Sequence, residues 1–252
     1  MVGGLVLLAM AALRGSFRGS GRWPLKATLV SALFVACYQL CFFAAVARTG
    51  VAAGTMVAVG SSPVAAGALG YLIRNERVGS RWIIATLMAV CGCILLSAGD
   101  GGLQSNFWGI MLALAAGFSY AAYTVSIKCL LDQHAPDSVM AVVFCSAALF
   151  LSPILVMSPL GWLAEPRGIA VALHLGVMAT AVSYWLFARG LKSVSVGVTA
   201  TLSLAEPLTA ALLGTAVLGE NLELPQIAGI SLLLCGLVLL ALGERKKTMV
   251  LS

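Results

Sequence analysis

The sequence predicts an all-α membrane protein: a polytopic helical bundle of about nine transmembrane segments, the first of them short, arranged as two inverted-topology repeats. Three observations predict it. Apolar runs follow one another almost end to end, with 61% hydrophobic residues, 10% charged residues and a mean hydropathy of +1.03. A soluble domain carries about a quarter charged residues, and a run of ~20 apolar residues is the length of a membrane span. Basic residues cluster between alternate spans, and an offset of 144 residues superposes one part of the chain on another.

The apolar spans run over 1–13, 27–46, 51–73, 82–99, 107–127, 138–158, 169–188, 195–217 and 225–243. The first, at about 1.5 Å per residue, reaches only ~20 Å of a hydrocarbon core ~30 Å thick. It reads as the remainder of a longer helix. No basic n-region precedes it, so it does not read as a cleavable signal peptide.

Charge placement gives the orientation. Lys and Arg stand at 14, 18, 22 and 26 after the first span, at 74, 77 and 81 after the third, and at 128 after the fifth. They recur at 189 and 192 after the seventh and at 245, 246 and 247 after the ninth, whereas the intervening loops hold only Arg48 and Arg167. Thirteen of the fifteen basic residues thus lie on one side, which the positive-inside rule assigns to the cytoplasm, together with the C-terminus. Trp23, Trp82, Trp108 and Trp162 flank spans, and Trp185 lies near a cytoplasmic end, as an aromatic belt requires. The net charge of +6 is therefore an orientation signal, and it follows neither a face nor a tail that would fit nucleic acid.

The 144-residue offset brings Thr55 onto Thr199, Pro63 onto Pro207, Gly70 onto Gly214 and Glu76 onto Glu220. It also brings Cys91-Gly92 onto Cys235-Gly236 and Gly99 onto Gly243, without a gap over about sixty residues. The step is five spans, an odd number, so equivalent helices cross the membrane in opposite directions. Inverted repeats of this kind build many secondary transporters, with the ligand site near the midplane between the halves.

LAEPLTAALLGTAVLGE (204–220) followed by QIAGISLLLCGLVLL (226–240) resembles the closing segment of an EamA-type repeat of the drug/metabolite transporter superfamily. SSPVAAGALGYLIRNER (61–77) with CGCILLSAG (91–99) resembles the same segment in the first half. WGIMLALAAGFSYAAYTVSIK (108–128) and TAVSYWLFARGL (180–191) are similar to the helix opening the second half and to the one preceding its last pair. The resemblance implies a ten-helix carrier of two five-helix repeats, both termini cytoplasmic, that moves small metabolites or drugs, usually outward. It divides the chain into a first repeat over 1–99, a second over 107–243 and a cytoplasmic tail over 244–252. Against that pattern the first half lacks the family's first helix and part of its second. A truncated, non-transporting or partner-dependent protein of the same fold is therefore the alternative.

Helix geometry nominates the site residues. On the eighth span Thr199, Ser203, Glu206 and Ala210 follow one helical stripe; Thr55, Val59, Ser62 and Ala66 are their equivalents on the third. The fifth span offers Ser119, Tyr120, Tyr123 and Thr124, the seventh Thr180, Ser183 and Tyr184, and the second Tyr38 and Gln39. Such stripes either join helices or line a cavity. Substrate-binding candidates are thus Glu206, Ser203, Thr199, Tyr184, Ser183, Tyr120, Tyr123, Gln39, Tyr38, Thr55 and Ser62. Pro63 and Pro207 are the hinge candidates, because each frees a carbonyl, of Val59 and of Ser203.

Glu206 is the one carboxylate inside an apolar span. Its charge would cost several kcal/mol in a dry site. It reads either as a group that binds a cationic or amine-bearing substrate or exchanges a proton with it, or as a neutral acid bonded to a freed carbonyl. His174 reads as a packing residue, Glu76 and Glu220 as interfacial charges at opposite faces, and Ala66/Gly70, Ala210/Gly214 and Gly50/Gly54 as sites of close helix approach.

The function this supports is a secondary transporter of the cell inner membrane that exports a small neutral, zwitterionic or cationic solute, with protons as a candidate coupling ion. No Walker A, G-x-S-x-G or H-E-x-x-H pattern points to an enzyme, and no cofactor or metal is implied. Cys37, Cys41, Cys91, Cys93, Cys129, Cys145 and Cys235 form no CxxC pair and read as small packing residues.

Overall fold

The computed structural model describes residues 1–17, 23–96, 106–158, 160–219 and 223–251; Glu220, Gly99, Arg18 and Arg22 lie outside the described residues. Its helices are α1 (Val2–Leu13), α2 (Leu25–Thr49), α3 (Val51–Arg74), α4 (Ser80–Leu96), α5 (Phe107–Leu131), α6 (Pro136–Met157), α7 (Pro166–His174), α8 (Ser183–Ser193), α9 (Val196–Leu202), α10 (Ala205–Leu218) and α11 (Leu224–Leu251). A π-helical segment, Leu175–Val182, joins α7 to α8. No strand occurs among the described residues. Seven segments are long and apolar enough to cross a membrane; Val2–Leu13 and Ser80–Leu96 are shorter apolar helices. The protein is an integral membrane protein of all-α fold.

The buried positions are dominated by small residues, among them Ala32, Ala58, Ala66, Ala85, Ala89, Ala113, Ala116, Ala121 and Ala188, while Leu13, Val156, Val217 and Leu224 are exposed. Lipid solvates a leucine as well as a protein interior does, so helix association relies on close approach of small side chains.

The chain forms two compact units whose boundaries fall within α2 and α5: Met1–Cys37 with Ala122–Ser193, and Tyr38–Ala121 with Val194–Ser252. In the first unit α1 is a packed element despite its length. A Cβ on Gly3 would lie 2.9 Å from the Gly176 carbonyl, and Cys145 Sγ donates to the Gly4 carbonyl at 3.2 Å. In the second unit α3 packs on α9, and α4 runs against α11.

The repeat is visible in the backbone of the second unit. Asn75 and Gly219, 144 residues apart, both end their helices in the left-handed region, at φ 54° and φ 71°. Each of these turns places a backbone N–H on an equivalent glycine carbonyl, Gly70 and Gly214. Asn is the side chain best suited to that conformation where glycine is absent.

The proline helices differ. α3 is continuous through Pro63, but the segment predicted as one span over 195–217 is broken between α9 and α10 at Ser203–Leu204. The predicted stripe Thr199, Ser203, Glu206, Ala210 therefore does not lie on one uninterrupted helix.

Candidate functional site

Of the predicted site residues, Tyr38, Gln39, Thr55, Ser62, Tyr120, Thr199, Ser203 and Glu206 belong to the second unit, as do Pro63 and Pro207; Tyr123, Ser183 and Tyr184 belong to the first. The second unit joins three of them directly. Tyr120 and Ser203 hydroxyls meet at 2.5 Å, and the Tyr38 and Tyr120 rings lie edge to face, 5.9 Å between centroids. Phe42 stacks on Tyr38 at 5.7 Å, a partner the sequence reading missed although it lies one helical turn on from Tyr38. Ser203 Oγ also donates to the Thr199 carbonyl at 3.2 Å, which leaves the Tyr120 phenol as donor to Ser203. Thr199 is buried and donates to the Ser195 carbonyl at 2.9 Å; Gln39 and Thr55 are half-buried.

The carbonyls that the two prolines leave without an i+4 donor are both satisfied, by different means. Ser62 Oγ donates to the Val59 carbonyl at 2.8 Å, so α3 passes Pro63 without a break. At the equivalent of Ser62 stands Glu206, which has no hydroxyl to offer. There the backbone tightens: Leu204 N–H donates to the Thr201 carbonyl at 3.1 Å and Glu206 N–H to the Ser203 carbonyl at 3.0 Å. Pro207 then falls in the first turn of α10, where a missing N–H costs nothing. Glu206 is exposed in that same first turn, where the helix dipole favours a carboxylate.

In the first unit, Tyr184 packs on Phe144 at 4.3 Å and on Phe187 at 6.0 Å, and Tyr123 is fully buried. Ser183 Oγ donates to the Met178 carbonyl and Thr180 Oγ1 to the Leu175 carbonyl, each at 2.9 Å. Both bonds reach five residues back and fill the gaps of the π-helical segment; His174, just before it, is exposed.

One cluster was not foreseen. Asp137, in the first turn of α6, accepts the Trp185 indole N–H at 2.8 Å and the Ser16 hydroxyl at 3.3 Å. Arg14 lies 3.6 Å and Arg189 3.7 Å from the same carboxylate, and their guanidinium carbons sit over the Trp185 ring at 4.8 and 4.1 Å. The end of α1, the start of α6 and α8 from Trp185 to Arg189 are thus tied together. Those are ends that the charge pattern places on one side. In the second unit Glu76 accepts the Val196 N–H at 2.8 Å and the Arg74 Nε–H at 3.2 Å, so it too is more than an interfacial charge. Among the described residues no three His, Cys, Asp or Glu side chains gather as metal ligands.

The EamA-like transporter family model matches residues 1–98 and again 107–242. The chain belongs to the EamA-like transporter family. Among its relatives, the Bacillus subtilis protein named "Uncharacterized transporter YwfM" is 39% identical over 245 residues, covering 97% of this chain and 82% of that protein. A Salmonella typhimurium protein named "Probable amino-acid metabolite efflux pump" is 28% identical over 258 residues, 97% of this chain and 86% of its own length. A solved crystal structure superposes with a TM-score of 0.80 at 20% identity, covering 97% of this chain and 85% of that one. At that identity the match speaks for the fold alone.

Proposed function

We propose that this EamA-family protein is a secondary transporter that exports a small neutral, zwitterionic or cationic solute by alternating access across the cell inner membrane, its C-terminus in the cytoplasm. Family membership supports transport, and the relative named as an amino-acid metabolite efflux pump supports outward movement of a small metabolite. The basic residues, concentrated in one set of loops, support the orientation.

The observation that carries the site is the broken span. The break at Ser203–Leu204 sets Glu206 three residues from Ser203, whose hydroxyl is held by Tyr120, which in turn packs on Tyr38. A half-helix end beside polar side chains is the arrangement by which carriers present groups to a solute at membrane depth. Glu206 is the group that selects an amine-bearing or cationic solute, or passes a proton against it. Substrate contacts in the second unit are assigned to Tyr38, Gln39, Thr55, Ser62, Tyr120, Thr199 and Ser203; Tyr123, Ser183 and Tyr184 of the first unit are further candidates. No Lys or Arg lies inside the apolar runs of the sequence, and those within the helices stand near their ends, which argues against phosphorylated cargo.

The test is counterflow or efflux in proteoliposomes with Glu206→Gln, across pH 5.5 to 8.5 and over a panel of amino acids and amines. The expected result is a variant that loses most of its transport of cationic solutes and whose remaining rate no longer varies with pH. A variant with unchanged rate and pH profile removes Glu206 from the mechanism.

A further inference from the structure

The α3–α9 contact in the second unit is held at one end by three features. α3 closes in a left-handed αL turn: Asn75 N–H donates to the Tyr71 carbonyl at 3.0 Å and Glu76 N–H to the Gly70 carbonyl at 3.1 Å. That turn fixes the Glu76 backbone and aims its carboxylate across to α9, where Oε2 accepts the Val196 N–H at 2.8 Å. Val196 is the first residue of α9, and Ser195 caps the same helix by accepting the Val198 N–H at 3.3 Å. Arg74 holds the other oxygen at 3.2 Å, and both side chains are mostly buried, 19% and 18% exposed.

Beside this bond the Trp82 indole is wedged between two glycines. A Cβ on Gly67 would lie 2.5 Å from the ring, and one on Gly197 3.1 Å from it. Its Nε1–H is buried and finds no acceptor among the described residues. The contact thus gains a charge-assisted bond at Glu76 and carries an unmet donor at Trp82. A permanent helix interface would be expected to satisfy that donor, whereas a contact that opens and closes balances such opposing contributions.

α9 is buried along Val196–Thr201 and delivers Thr199 and Ser203 to the Tyr120 cluster. Separating its N-terminus from α3 would expose that face. We propose that the Glu76 carboxylate on the Val196 N–H is the closure of the solute path on the side of the basic loops, and that Glu76 positions α9 by setting how often this end opens. The inference rests on the transporter reading above. α9 parts from α3 when the bond breaks, the Trp82 N–H gains water, and the substrate groups become reachable from that side.

The test uses the full chain carrying Thr199→Cys in oriented vesicles. A membrane-impermeant maleimide is applied from each face, and peptide mass spectrometry reads position 199 separately from the native cysteines. Glu76→Ala removes the acceptor. Val196→Pro removes the donor and keeps the Glu76 carboxylate, at a first-turn position that tolerates proline and after a Ser195 already extended at φ −66°, ψ 158°.

Each variant should raise labelling from the basic-loop face by about fivefold to tenfold, the equilibrium shift that one hydrogen bond supports. The double variant should go no further than either single one. Glu76→Gln, which keeps an oxygen for the Val196 N–H, should stay near the parent rate. Unchanged labelling in both single variants, an equal rise from both faces, additive effects, or Glu76→Gln matching Glu76→Ala each overturn the proposal. Labelling needs no substrate, so it stands or falls apart from the Glu206 transport assay. A rise confined to the opposite face overturns it as well.

Discussion

Gly92 of α4 and Gly236 of α11, 144 residues apart, each meet the other's helix at the equivalent place. A Cβ on Gly92 would lie 2.7 Å from the Gly229 carbonyl and 2.6 Å from the Leu233 nitrogen. One on Gly236 would lie 2.8 Å from the Ala85 carbonyl and 3.0 Å from the Ala89 nitrogen, and 85 and 89 are the repeat equivalents of 229 and 233. The pair is therefore related by a local pseudo-two-fold axis. Backbone this close leaves no room to relax, so Gly92→Leu and Gly236→Leu should each destabilise by about 1–3 kcal/mol or more. Thermal unfolding in detergent should find similar losses for the two. A large loss at one and none at the other would mean that the symmetry does not extend to the energetics.

The proline pair breaks the symmetry through a single side chain. Ser62 Oγ covers the Val59 carbonyl beside Pro63. Ser62→Ala would leave a carbonyl beside a buried residue without that donor, a loss of about 1–3 kcal/mol. Thr209→Ala, which removes an exposed hydroxyl bonded to the Ala205 carbonyl on the related helix, should cost well under that, since the helix already satisfies the carbonyl. Denaturation midpoints compare the two, and equal losses would deny Ser62 a special part in carrying α3 past Pro63.

This contrast shows how far the sequence could be read. Span lengths and the 144-residue offset were legible because apolar length and repeated Pro, Gly and Glu are linear signals. The break at Ser203–Leu204 was not, because Pro63 and Pro207 send the same signal and the outcome turns on the preceding side chain. A serine directly before a helix proline was the available clue. The Asp137 cluster joins three separate stretches, Arg14, Asp137 itself, and Trp185 with Arg189, and only the placement of all four at like-sided span ends hinted at it. The π-helical segment had no signature in the sequence beyond two hydroxyls, Thr180 and Ser183, that proved to serve its backbone.

The Tyr120–Ser203 bond links α5 to the end of α9 at the break. Tyr120→Phe and Ser203→Ala should each cost about 1 kcal/mol, and the double variant little more, because both remove the same bond. In transport, Tyr120→Phe should raise the KM more than it lowers the maximal rate if the phenol orients Ser203 toward solute. Strict additivity in the unfolding data would show that the two hydroxyls do not depend on each other.

Asp137 allows its ion pairs to be separated from its indole bond. Arg14 and Arg189 are about half exposed, at 45% and 49%, so each pair is screened and contributes roughly 0–1 kcal/mol. Asp137→Asn keeps an oxygen for the Trp185 N–H and should cost about 1 kcal/mol, through those pairs and through the two guanidiniums it leaves side by side. Asp137→Ala also strands the indole donor and the Ser16 hydroxyl, adding about 1–3 kcal/mol. The Asn deficit should shrink at high salt, where the screening length falls from about 10 Å to about 3 Å, while the additional Ala deficit should persist. If Asn proves as damaging as Ala at both salt concentrations, the guanidinium charges rather than the indole bond hold α1, α6 and α8 together at this end.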